Sequence, residues 1–138
     1  MMEVTMFESI AQKVFALLVV TVVMAGGMFS SPAFSAPPDP VQSRKELKAM
    51  GVEYNGREFA KAAGNGDMTA VRLFLDSGMD VNEGGGAALG LAAGRGRLDM
   101  VKFLLSKGAK PTSNALQNAR TRGHKDIERV LVEAGAKE

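Results

Sequence analysis

The chain has 138 residues, enough for one compact domain and too few for two ordinary ones. Its 17 Lys and Arg stand against 15 Asp and Glu, and a formal charge of +2 excludes a protein that is basic over its whole surface. Cys is absent, so disulfides, thiolate metal sites and Cys nucleophiles are excluded, and His124 is the sole histidine.

From Val14 to Ala25 the chain runs twelve residues without a charge, followed by Gly26-Gly27 and small residues ending at Ser31-Pro32-Ala33. This is the layout of a secretory signal peptide, with cleavage expected after Ala33. The flank before the apolar run carries Glu3 and Glu8 against Lys13, less basic than such leaders usually are. Extended to Phe29, the run would give roughly 24 Å of helix, short of a hydrocarbon core of about 30 Å. The expectation is a cleaved leader over 1–33, with an uncleaved N-terminal anchor as the alternative. Both place the folded part outside the cytoplasm, in the periplasm or secreted.

Pro37, Pro38 and Pro40 predict an extended linker over 34–42. Ser43-Arg44-Lys45-Glu46 has the spacing of a capping box, and Leu47 and Met50 form a short apolar face ahead of Gly51. A lead-in helix from Arg44 to Met50 is predicted, within a segment 43–53.

Beyond it the sequence repeats. With Gly66, Gly96 and Gly123 superimposed, a second glycine follows twelve residues later each time, at Gly78, Gly108 and Gly135. Seven residues before the first glycine stand Phe59, Leu89 and Leu116, and four before stand Ala62, Ala92 and Ala119. The pairs Phe74-Leu75, Leu104-Leu105 and Leu131-Val132 mark the apolar side of a longer second helix, with Arg72, Lys102 and Arg129 on its solvated side. Each unit reads as short helix, glycine turn, longer amphipathic helix and glycine stop. Neither helix can bury its apolar face alone, so the units must stack.

These residues resemble the ankyrin repeat. The second unit carries the resemblance best, from Leu89-Gly90-Leu91-Ala92-Ala93-Gly94-Arg95-Gly96 to Val101-Lys102-Phe103-Leu104-Leu105-Ser106-Lys107-Gly108-Ala109. The first matches through Phe59, Ala62-Ala63, Gly66, Val71, Phe74-Leu75, Gly78 and the Asp80-Val81-Asn82 that opens a projecting β-turn finger. The third matches through Leu116, Ala119, Gly123-His124, Leu131 and Gly135-Ala136. The resemblance implies an all-α ankyrin-repeat solenoid over 54–138, with three helix-turn-helix units at about 54–83, 84–113 and 114–138 behind the lead-in helix. The family's Thr-Pro-Leu-His opening is missing: Arg57-Glu58-Phe59-Ala60, Ala87-Ala88-Leu89-Gly90 and Asn114-Ala115-Leu116-Gln117 stand there. The third unit follows the second at a shorter spacing, with Pro111 in the gap, and the second finger is expected to be a tight turn. Where units one and two have Val71 and Val101, the third has Glu128. Glu128 with Arg129, Glu133 and Lys137 suits the polar outer face of a terminal unit.

No constellation of nucleophile, acid and base stands out, and no catalytic residue or cofactor is assigned. His124 beside Asp126 falls short of the three or four ligands a metal needs and reads as a hydrogen-bonded loop histidine. Gly84-Gly85-Gly86 lacks the Lys and hydroxyl of a phosphate loop and reads as a flexible finger tip. Charge is uneven: residues 34–94 hold 6 basic and 8 acidic side chains, while 95–138 hold 10 and 5. Arg95, Arg97, Arg120, Arg122, His124 and Lys125 flank the inter-helix turns and are candidates for one basic ridge.

The resemblance implies partner binding through finger tips and the exposed face of the short inner helices. The corresponding residues are Asn82 and Glu83 on the finger, Lys61, Leu91 and Asn118 on the inner helices, and Asn65, Arg95 and Arg122 at their ends. The expectation is a non-enzymatic module in the cell envelope that binds a protein partner, with an acidic one suiting the ridge. The membrane enters only if the N-terminal segment stays uncleaved. The alternative is electrostatic attachment of the ridge to a polyanionic surface or nucleic acid.

Overall fold

The structure, a computed structural model, describes residues 37–138, which form seven helices and no strand. The leader, its cleavage site and the first residues of the linker lie outside the described residues. No helix among the described residues is long and apolar enough to cross a membrane.

Helix α1 spans Pro40–Ala49 and so begins before the predicted start at Arg44. The reason is local. Asp39 is the cap, its carboxylate accepting the Val41 amide at 2.9 Å, and Pro40 takes the first helical position, where a missing N–H costs nothing and its fixed φ is already helical. Ser43 is therefore a buried residue inside the helix, and its amide bonds to the Asp39 carbonyl in place of forming a capping box with Glu46.

The three helix pairs follow. They are α2 (Gly56–Asn65) with α3 (Met68–Asp76), α4 (Glu83–Gly94) with α5 (Leu98–Ser106), and α6 (Ser113–Thr121) with α7 (Lys125–Glu133). Asn55, Asp67 and Thr112 start α2, α3 and α6 by accepting the amides of Glu58, Ala70 and Ala115. The turns between paired helices share one geometry. Gly66, Gly96 and Gly123 have φ of 80°, 71° and 76°, a left-handed conformation that a side chain would strain. The residue after each then sends its amide back to a buried alanine carbonyl: Asp67 to Ala62 at 3.0 Å, Arg97 to Ala92 at 2.9 Å and His124 to Ala119 at 2.9 Å. This is the six-to-one bond of a Schellman stop. The outer helices end alike, with Met79, Ala109 and Ala136 returning to Phe74, Leu104 and Leu131.

The apolar seam follows the repeat. Phe59, Leu89, Leu116, Phe74, Leu104 and Leu131 are all buried, as are Val71 and Val101. Each buried side chain of this size contributes about 1.5–3 kcal/mol relative to exposure, and the contribution exists only when the next unit covers it. The inner helices α2, α4 and α6 lie side by side because small residues line their contacts. A Cβ on Gly64 would stand 3.1 Å from the Leu91 Cβ, and one on Gly94 would stand 3.4 Å from the Asn118 Cβ. The outer helices are further apart. Arg72, Leu75, Asp76, Phe103 and Lys107 line a groove of about 490 Å³ on that side, with the Arg72 and Lys107 cations 5.3 and 5.5 Å from the centre of the Phe103 ring.

Helix α1 covers the first unit. Leu47 is fully buried in the same core, and Tyr54 stacks on Phe74 at 5.8 Å while Phe59 meets Phe74 edge-on at 5.6 Å. Arg44 lies 4.4 Å over the Tyr54 ring, and both Arg44 and Tyr54 donate to the Ser77 carbonyl at 3.1 Å. At the far side, Glu128 avoids burial by pairing with Arg120 at 2.6 Å, while Val132 is 48% exposed, unlike its counterparts Leu75 and Leu105.

The first finger differs from the expected flexible tip. Gly84, Gly85 and Gly86 form one left-handed turn, with φ of 62°, 69° and 84°, before right-handed helix begins within α4. The Gly86 amide bonds to the Asn82 carbonyl at 3.0 Å, and Gly86 is buried, with its missing Cβ position 3.3 Å from the Thr112 methyl. Three glycines allow a sense of winding that residues with side chains could not sustain.

Candidate functional site

The repeat places six of the predicted contact residues on the exposed side of the inner helices in equivalent pairs. Lys61 and Asn65 on α2, Leu91 on α4 and Arg95 at its end, and Asn118 on α6 and Arg122 at its end are each four residues apart, hence neighbours on one helical face. Stacking turns them into two rows across the domain, Lys61–Leu91–Asn118 and Asn65–Arg95–Arg122. All six side chains are exposed, and Leu91 is the only apolar member, at 39%.

Each row is knitted to its neighbours. The Asn118 amide donates to the Gly90 carbonyl at 3.2 Å, which seats α6 against α4. The Arg95 guanidinium donates to the Asn65 side-chain carbonyl, and Lys61 pairs with Glu58 at 3.2 Å within α2. Leu91 stands against Gly64, where the absence of a Cβ leaves room for it.

The finger residues are more committed than the sequence suggested. Asn82 faces the second finger, its Nδ2 donating to the Gly108 carbonyl at 3.2 Å and its Oδ1 accepting the Lys110 amide at 2.8 Å. Asp80 in turn accepts the Asn82 amide at 2.8 Å. Glu83 is exposed, but its side chain lies across the start of α2, close enough that a Cβ on Gly56 would come within 2.7 Å of it. An acid there complements the positive end of a helix. Nothing in the spacing of Asn82 forecasts its double bond, because it depends on a finger 26 residues away.

The basic ridge assembles in part. Arg97 reaches back to the Gly64 carbonyl at 3.4 Å, and the His124 ring lies against Gly96 with Nε2 at 3.3 Å from the Gly94 carbonyl. Arg95 and Arg122 join them along the turns. Arg120 does not, since it points to α7 and is paired with Glu128 and Glu138. Hydrogen bonds from those two carboxylates raise the Arg120 pKa above its ordinary value, so the cation is permanent but locally neutralised. Acids also intervene between the turns. Asp99 lines a cleft of about 450 Å³ with Asn65, Met68, Arg97 and Leu98, and Asp126 lines one of about 300 Å³ with Gly96, His124, Lys125 and Ile127. The ridge is therefore of mixed sign. Among the described residues no three His, Asp or Glu side chains gather to hold a metal ion.

Comparison with known proteins accords with this geometry. Residues 59–115 match the family model for ankyrin repeats (3 copies). Over 56 residues the chain is 45% identical to myotrophin of Xenopus tropicalis, an alignment covering 38% of this chain and 48% of that protein. The chain thus spans about half the length of the curated relative it matches. Repeats of this kind serve as protein–protein interaction modules. The family match covers the first two helix pairs from Phe59 onward and the start of α6, and over those residues the chain is built of ankyrin repeats.

Proposed function

We propose that this domain is a non-enzymatic adaptor that holds a protein partner outside the cytoplasm, on the exposed face of its inner helices and the adjoining finger. The observation that carries the reading is Leu91, a leucine 39% exposed at the middle of a row whose flanking members, Lys61 and Asn118, are polar. A central apolar contact inside a polar rim is the arrangement in which partner burial removes water from the apolar group while the rim keeps register. The rows around it are pre-ordered by the Asn118 and Arg95 hydrogen bonds, so little side-chain freedom is lost on binding. The uncharged run from Val14 to Ala25 and the small residues at Ser31 and Ala33 support export of the chain and cleavage of its leader.

Attachment to a polyanion through the turn ridge has less support, because Asp99 and Asp126 stand among its cations and Arg120 is occupied by two glutamates. A photo-crosslinking residue placed at Leu91, and separately at Arg129 on the outer helix α7, tests the surface in cells that make the full chain. The expected result is one defined protein adduct from position 91 and none from position 129. Adducts from 129 alone would move the surface to the outer helices. Intact-mass measurement of the exported protein checks the leader, with Phe34 expected as the new first residue.

A further inference from the structure

Two cations on the inner-helix face are left without an opposite charge. The ion pairs among the described residues join Lys61 to Glu58 and Arg120 to Glu128 and Glu138, and neither Arg95 nor Arg122 takes part in one. They occupy equivalent places at the ends of α4 and α6. Arg95 uses one of its five donors on Asn65, a neutral partner that fixes the guanidinium without cancelling its charge. Arg122 leans over the end of α4, its Nε 3.9 Å from where a Cβ on Gly94 would stand. Leu91 lies one helical turn from Arg95 on the same face. The acids of this face are elsewhere: Glu58 is taken by Lys61, and Glu83 sits at the finger end against α2. An exposed leucine beside two uncompensated guanidiniums, one of them fixed by Asn65, defines both an apolar and an anionic requirement for whatever lies there.

Resting on the interaction surface proposed above, we infer that its partner presents an acidic, extended peptide segment, with an apolar side chain on Leu91 and carboxylates on Arg95 and Arg122. The spacing sets the pattern. Neighbouring packed helices are about 8–10 Å apart, so successive cations recur at that interval across the stack. A polyproline-type chain advances about 3.1 Å per residue with three residues per turn, which puts two carboxylates three residues apart on one side of it, over the two arginines. Guanidinium groups suit carboxylates because the planar fork can donate two parallel hydrogen bonds. A polyphosphate chain would satisfy the charges but would leave Leu91 facing water.

The test is selection of a randomised dodecapeptide display library on the full chain, run in parallel on Leu91→Ser and on the double variant R95Q/R122Q. The side chains replaced are exposed, so both variants should keep the thermal melt of the parent chain. The expected result is enrichment of peptides carrying Asp or Glu three apart with an apolar residue nearby. Enrichment should be lost on both variants, and the best peptide should bind R95Q/R122Q about tenfold or more weakly than the parent chain. Neutral or basic peptides lost on Leu91→Ser but retained on R95Q/R122Q would overturn the acidic assignment while leaving the surface standing. Peptides indifferent to both variants, or no enrichment at all, would overturn the assignment and count against the surface too. Tighter binding of a single-stranded oligonucleotide than of the best peptide, lost on R95Q/R122Q and kept on Leu91→Ser, would replace it with the polyanion reading.

Discussion

The side chain of Asn82 accepts the backbone amide of Lys110 at 2.8 Å and, through its other atom, donates to the carbonyl two residues earlier at Gly108. One amide group thereby closes both polar ends of the second finger against the first. No β-ladder joins these fingers among the described residues, so this side chain takes the part that strand pairing would otherwise play.

Replacing Asn82 by Ala should cost about 1–2 kcal/mol, the sum of two modest intramolecular bonds. Asn82→Asp keeps the acceptor for Lys110 and places a carboxylate against the Gly108 carbonyl, so it should recover only part of the loss. Urea denaturation with an unchanged slope would measure both. A midpoint unmoved by Asn82→Ala would show that the fingers are held by something else.

The turn glycines allow a contact to be separated from backbone strain. Gly96→Ala and Gly123→Ala both place an alanine at positive φ, at a cost of about 1–2 kcal/mol. Only at Gly96 does the new Cβ also meet a neighbour, the His124 ring at 2.8 Å. Gly96→Ala should therefore be the more damaging by about 1 kcal/mol, and the excess should vanish when His124 is also replaced by Ala. Equal losses at both positions, measured by thermal melts, would mean that the ring swings aside freely.

Arg44 and Tyr54 donate to the same Ser77 carbonyl at 3.1 Å. Removing one leaves that carbonyl still bonded. Tyr54→Phe and Arg44→Gln should each cost under about 1 kcal/mol, while the pair together should cost more than their sum, because the carbonyl of the buried Ser77 is then left without either partner. Additive losses in a double-mutant cycle would contradict this.

Leu104 is fully buried in the seam, and Leu91 is exposed on the face proposed to bind the partner. Leu104→Ala should cost about 2–5 kcal/mol and threaten the folding of so small a stack. Leu91→Ala should leave stability within about 0.5 kcal/mol and weaken partner binding instead. A melting temperature indifferent to Leu104→Ala would remove the shared core from the account.

Much of the fold was legible before any coordinates. The glycines at 66, 96 and 123 and the alanines four residues earlier mark a local event, a helix stop whose hydrogen bonds span six residues, and local events leave fixed spacings in a chain. The apolar triplet Phe59, Leu89 and Leu116 was legible for the same reason, since every unit must bury the same position. The start of α1 was misread because two signals competed: Ser43 and Glu46 have capping spacing, but Asp39 followed by Pro40 caps earlier, and the earlier cap lets Ser43 and Leu47 be buried.

What the amino-acid order alone determined, then, is the unit: the glycine that stops each helix, which side is apolar, and that the units stack. What only the tertiary structure decided is how charge and polarity are shared between units. Arg120 and Arg122 are two residues apart and looked alike, yet one is neutralised by Glu128 and Glu138 and the other joins no ion pair among the described residues. Asn82 looked like a free finger tip and is spent on the next finger. The physical reason is range: a turn is closed by bonds a few residues long, whereas an ion pair or inter-unit bond depends on which side chains the stacking angle brings within about 3 Å, and no spacing along the chain encodes that angle.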